Sequence, residues 1–153
     1  MRELVIQTLM GAISSVAFAI FFNVRGKKLF WFFLGSAIDW AVYLYCVHHG
    51  QSEFIGMLLA TMTAALFSEI LARIVRTPVL ILLVPMLVPL IPGRGLYNTM
   101  DALIRGERER FLSSGISTIS CAAAICLGII CVTAITQLVF TLWEHLRKSR
   151  TIR

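Results

Sequence analysis

The chain has 153 residues, of which 58% are hydrophobic and 14% charged, with a formal charge of +6 and a mean hydropathy of +0.84. A soluble domain of this length carries about 25% charged residues to cover its surface. The composition therefore excludes that class and points to an integral membrane protein. The cations collect in short segments between apolar runs, which fits membrane topology and excludes a continuous nucleic-acid-binding face.

Four clear apolar runs and one irregular one predict an all-α polytopic membrane helix bundle of about five spans, a single integral membrane domain over residues 1–153. The first run covers 4–22. Its Ala17-Phe18-Ala19 resembles a signal cleavage site, but Glu3 offsets Arg2 and the apolar stretch continues, so it is read as a span. Gly11, Ser15, Ala19 and Asn23 recur every fourth residue, a small face for close helix packing. A basic turn with Arg25, Lys27 and Lys28 leads into the second span, 29–47, which opens on the aromatics Phe30 to Phe33. The connection from His48 to Glu53 contains no Lys or Arg, which places the first turn inside the cell and the second outside. The third span, 54–72, carries Gly56, Ala60, Ala64 and Ser68 in the same fourfold spacing and ends in Arg73 and Arg76.

The fourth run, 78–92, has 15 residues and holds all four prolines: Pro78, Pro85, Pro89 and Pro92. As a helix it would reach about 22 Å, short of the ~30 Å hydrocarbon core. Pro85 and Pro89 lack amides, so the carbonyls of Ile81 and Pro85 are expected to lose their usual partners. The segment is thus a broken span or a re-entrant element. Gly93-Arg94-Gly95-Leu96-Tyr97 opens a short amphipathic helix to about Arg105, which the charged stretch 106–110 ends. The last span, 116–143, has a Ser120, Ala124 and Gly128 stripe, followed by a tail with Arg147, Lys148, Arg150 and Arg153. Five crossings place the N-terminus outside and the C-terminus in the cytoplasm, whereas a re-entrant fourth run would turn the 93–115 loop inward. An odd number of spans without an internal duplicate suggests half of a paired transporter.

Asp39 lies mid-span, where a carboxylate costs about 2.5–3.5 kcal/mol on insertion scales. No cation stands three or four residues away, so it reads as a proton carrier, a partner for a substrate ammonium, or a structural carboxyl. Glu69 and Arg73 are spaced for a helical ion pair that can also act as a gate. The Pro85–Tyr97 stretch, with Pro89, Pro92, Gly93, Arg94 and Gly95, combines a broken span, a helix N-terminus and a fixed cation, which suits a carboxylate. Cys46, Cys121, Cys126 and Cys131 all lie in apolar runs and read as buried thiols. His48, His49 and His145 sit near span ends or in the tail, and no metal-ligand or nucleophile–base set occurs, so neither a metal, a cofactor nor an enzyme is expected.

Three stretches resemble the threonine/serine exporters in their short split form. They are Phe18 to Val24, Ser68 to Arg73 with Thr77-Pro78, and Val84 to Tyr97 with Thr99-Met100. The resemblance covers roughly residues 15–105, and its proline-glycine-tyrosine block is the most characteristic part. Arg25 stands where members often carry proline, and Arg94 is not a general residue there. The resemblance implies an inner-membrane secondary exporter of small carboxylate-bearing metabolites, serine and threonine or dicarboxylates such as succinate. It also implies a larger partner subunit of the same family. Asn23, which lies in the first matching stretch, and Tyr97 join the expected substrate site. A non-transporting scaffold subunit and a homo-oligomeric channel remain open as alternatives.

Overall fold

A computed structural model describes residues 2–151, with side chains described through Leu142. Trp143, His145 and the tail cations Arg147, Lys148, Arg150 and Arg153 lie outside the described side chains. The described chain is helical throughout: α1 (Arg2–Phe21), α2 (Lys28–His48), α3 (Glu53–Val75), α4 (Val79–Leu87) with a 3-10 turn over Val88–Leu90, α5 (Gly93–Ile104) and α6 (Arg108–Thr151). Four helices are long and apolar enough to cross a membrane, and the pair Val79–Leu90 plus Gly93–Ile104, bent by 52°, makes a fifth when taken as one span. The fold is the expected all-α polytopic bundle.

Local chemistry sets the helix ends. Asn23 takes a left-handed conformation (φ 60°) after α1, and the following Val24 amide donates to the Ala19 carbonyl at 3.0 Å. This closes the last turn in the way an αL cap does. Ser52 caps α3 by accepting from the Ile55 amide at 3.4 Å. Arg76, also left-handed at φ 52°, ends α3 with its amide donating to Ala72.

The small-residue stripes pack as their spacing predicts except at Asn23, which is exposed beyond the end of α1. Ser15 and Ala19 on α1, and Gly56, Ala60, Ala64 and Ser68 on α3, are all buried. Helices α1 and α2 are antiparallel: a β-carbon on Gly11 would sit 3.4 Å from the Trp40 ring, and Ala19 shares a buried cluster with Phe32. Along α6, a β-carbon on Gly128 would stand 3.0 Å from Thr61 Cβ and 3.1 Å from the Leu58 carbonyl. The backbone carbonyl cannot move aside as a flexible side chain can. Gly128→Ala gains about 1 kcal/mol in helix propensity but incurs about 1–3 kcal/mol of overpacking. Thermal unfolding in detergent is expected to show a net loss of stability.

Helices α3 and α6 run parallel. Glu53 meets Ser117, Thr61 meets Gly128, and Arg73 stacks on Phe140 with its Cζ 3.6 Å from the ring centroid. The chain between them must therefore return from the end of α3 to the level of its start, so the fourth segment crosses the bundle. Its break differs from the expected one at a single carbonyl. Pro89 cannot donate to Pro85, but the backbone tightens and the Val88 amide donates to the Pro85 carbonyl instead.

Two further expectations are corrected. The last helix begins at Arg108, well before the apolar run at 116. Arg110 pairs with Glu107 at 3.2 Å, and the Phe111 amide bonds the Glu107 carbonyl at 2.9 Å. These contacts satisfy a charged first turn, so polarity ends the apolar run without ending the helix. Cys46 and Cys121 are buried, but Cys126 and Cys131 are exposed on α6, on a face that meets no other helix among the described residues.

Candidate functional site

At the end of the bundle where α3 begins, a cavity of about 790 Å³ opens between the broken span and α2, α3 and α6. The 3-10 turn delivers Pro89 to its wall, and Pro92, Gly93, Arg94 and Gly95 follow as the chain turns into α5. Trp40 and Tyr43 from α2, Glu53 from α3 and Asn98 from α5 complete one side. Ser113, Ser114, Ser117 and Thr118 from α6 form the other, and Gln7 reaches in from α1. Gly95 is needed for this closure. A β-carbon there would overlap the Thr118 hydroxyl, which is held in place by its bond to the Ser114 carbonyl at 2.7 Å. Gly95→Ala is expected to splay α5 from α6, costing about 1–3 kcal/mol in thermal unfolding and disrupting the cavity.

The cavity gathers Pro89, Pro92, Gly93, Arg94 and Gly95, but not the other residues singled out from the sequence. Pro85 is buried inside the packed α4. Tyr97 does not line the cavity and is 71% exposed. Asn23 lies at the opposite end of the bundle, in a separate cavity of about 290 Å³ with Arg25, Lys28 and Thr77. There the Lys28 ammonium donates to the Thr77 hydroxyl at 3.2 Å. Glu69 and Arg73 form their ion pair at 3.1 Å near that same end, and Arg73 also donates to the Glu69 carbonyl at 2.9 Å.

Asp39 is fully buried and does not line the cavity. Its neighbour Trp40 and Pro89, both on the cavity wall, approach Gly11, whose β-carbon would lie 3.4 Å from the indole and 3.5 Å from the proline ring. Among the described residues, neither carboxyl oxygen of Asp39 has a side-chain hydrogen-bond partner, and the hydroxyls of Ser15, Ser36 and Thr61 and the Trp40 indole nitrogen have none. Other helical hydroxyls in this chain, such as Thr8 and Thr63, bond back to a carbonyl one turn earlier. The α1–α2 register that sets Gly11 against Trp40 brings Ser15 level with Ser36, one turn from Asp39. The bundle centre thus holds a seam of unsatisfied polar groups, which packed protein interiors ordinarily avoid.

The sequence reading missed Gln7, Glu53, Asn98, Ser113, Ser114, Ser117 and Thr118. The i, i+4 pairs Ser113/Ser117 and Ser114/Thr118 mark one polar stripe on α6 and were the available signal. In the sequence Glu53 stands only as the end of the connection from His48.

The profile of the family described as Threonine/Serine exporter, ThrE, matches residues 7–135. The chain belongs to the threonine/serine exporter family. No curated protein and no solved structure matches it. The matched residues include the whole cavity, from Gln7 to Cys121, and the buried Asp39. This multi-pass membrane protein of the threonine/serine exporter family is a transport protein, and the polar cavity lies within the part that matches the family.

Proposed function

We propose that the chain is one subunit of a secondary exporter of small carboxylate-bearing metabolites, threonine- or serine-like amino acids or dicarboxylates such as succinate. It works in the inner (plasma) membrane with a larger partner of the same family and is driven by the proton gradient. The observation that carries this reading is the placement of Arg94 and the N-terminal turn of α5 on the wall of a polar cavity. Amides in the first turn of a helix and a guanidinium both favour a carboxylate. Gly93 and Gly95 leave the backbone open to it.

The remaining residues take roles that fit this site. Asp39 exchanges protons, and its burial away from the cavity lining keeps the proton and substrate sites apart. Glu69 and Arg73 gate the far end. Arg25, Lys27, Lys28, Arg73 and Arg76 gather at that end, which makes it cytoplasmic by the positive-inside rule, with the cavity facing outward. Leu96, Tyr97, Met100, Leu103 and Ile104 form an exposed apolar stripe along α5, a surface on which a larger subunit can seat.

Liposomes containing the chain with its larger family partner, loaded with threonine or succinate, test the reading. Efflux is expected to rise when an inward proton gradient is imposed. Absence of flux for both substrates, or flux indifferent to the gradient, would overturn it.

A further inference from the structure

The cavity contains two charged side chains of opposite sign, Arg94 and Glu53. Neither joins an ion pair among the described residues. Glu53 is not needed to cap α3, because the Ser52 hydroxyl already accepts from the Ile55 amide. Its carboxylate instead reaches across to α6, where it accepts from the Ser117 hydroxyl at a long 3.4 Å, leaving acceptor capacity free. The other polar groups on the wall, including Gln7, Asn98 and Thr118, are neutral.

An unpaired cation and an unpaired anion facing one polar cavity are complementary to a ligand that carries both charges. From this we infer that Glu53 is the anchor for a substrate ammonium, so that the cavity selects zwitterionic α-amino acids and disfavours dicarboxylates. The inference rests on the reading of this cavity as the substrate site. A second carboxylate on the ligand would meet Glu53 as a like charge, and such juxtapositions discriminate strongly between partners. A hydroxy acid would satisfy Arg94 but leave Glu53 without a counter-charge. Asp39 is fully buried and does not line the cavity, so the division of labour gives Glu53 the substrate and leaves Asp39 the proton.

Binding of L-threonine, 3-hydroxybutyrate and succinate to the chain together with its larger family partner in lipid nanodiscs, by calorimetry, tests this directly. Wild type is expected to prefer threonine over both other probes by about tenfold, the effect of roughly one ion pair. Glu53→Gln should lose that preference by weakening threonine and strengthening succinate while leaving 3-hydroxybutyrate unchanged, Glu53→Asp should retain it, and Arg94→Gln should weaken all three probes. A threonine preference that survives in Glu53→Gln overturns the inference. So does a uniform loss of all three probes that Glu53→Asp fails to rescue, since that marks a structural role. A wild type that prefers succinate overturns the inference but leaves the substrate site standing. A wild type that binds none of the probes overturns both.

Discussion

Asp39→Asn is expected to reduce proton-driven efflux to the background leak while the protein still folds and inserts. Asparagine nearly matches the shape of aspartate but carries no charge and takes up no proton at neutral pH. The carboxyl is fully buried with no hydrogen-bond partner among the described residues, so the substitution removes no hydrogen bond seen there. A protonated carboxyl and an amide are desolvated at similar cost, and the variant should therefore match wild type in stability to within about 1 kcal/mol. Flux and thermal unfolding measured on the same preparation separate the two effects. Asp39 is the coupling group if flux is lost and stability kept. Loss of both would make it a structural group, and unchanged pH-dependent flux would remove it from the mechanism.

Arg94→Ala has its effect on affinity. Arg94 is exposed to the cavity and makes no ion pair among the described residues, so truncation should leave unfolding unchanged. A hydrogen bond to an ionised group contributes about 1.5–3 kcal/mol, which corresponds to roughly a ten- to hundredfold weakening of carboxylate binding. Arg94→Lys should recover part of this, because an ammonium restores the charge but not the two-pronged geometry of a guanidinium. A binding isotherm for threonine across the three proteins checks the order. Equal affinities would place the carboxylate elsewhere.

Much of this was legible in the chain itself. The fourfold stripes on α1, α3 and α6 reported helix contact, since small residues at that interval have few other uses in an apolar helix. The proline cluster reported a break, and Asp39 an oddity in the bundle centre. What stayed hidden depended on how distant segments meet. The sequence left open whether the fourth segment crosses, and that crossing is what makes α3 and α6 parallel. Only then does Glu53 fall beside Ser117, and only then do the serines of α6 become a wall. Asn23 resembled a site residue because it lies in a stretch shared with the family, yet its left-handed backbone gives it a role in ending α1.

The interruption between Leu90 and Gly93 also sets where this protein can bend. One half of the divided span is clamped: Met86 is fully buried, accepts from Ser68 at 3.4 Å, and lies where a β-carbon on Gly35 would come within 2.7 Å of its sulfur. The other half is tied chiefly to α6, with no continuous ladder of backbone bonds linking it to the first. Motion should therefore be lopsided, a roof of α5 and the start of α6 swinging over a stationary floor.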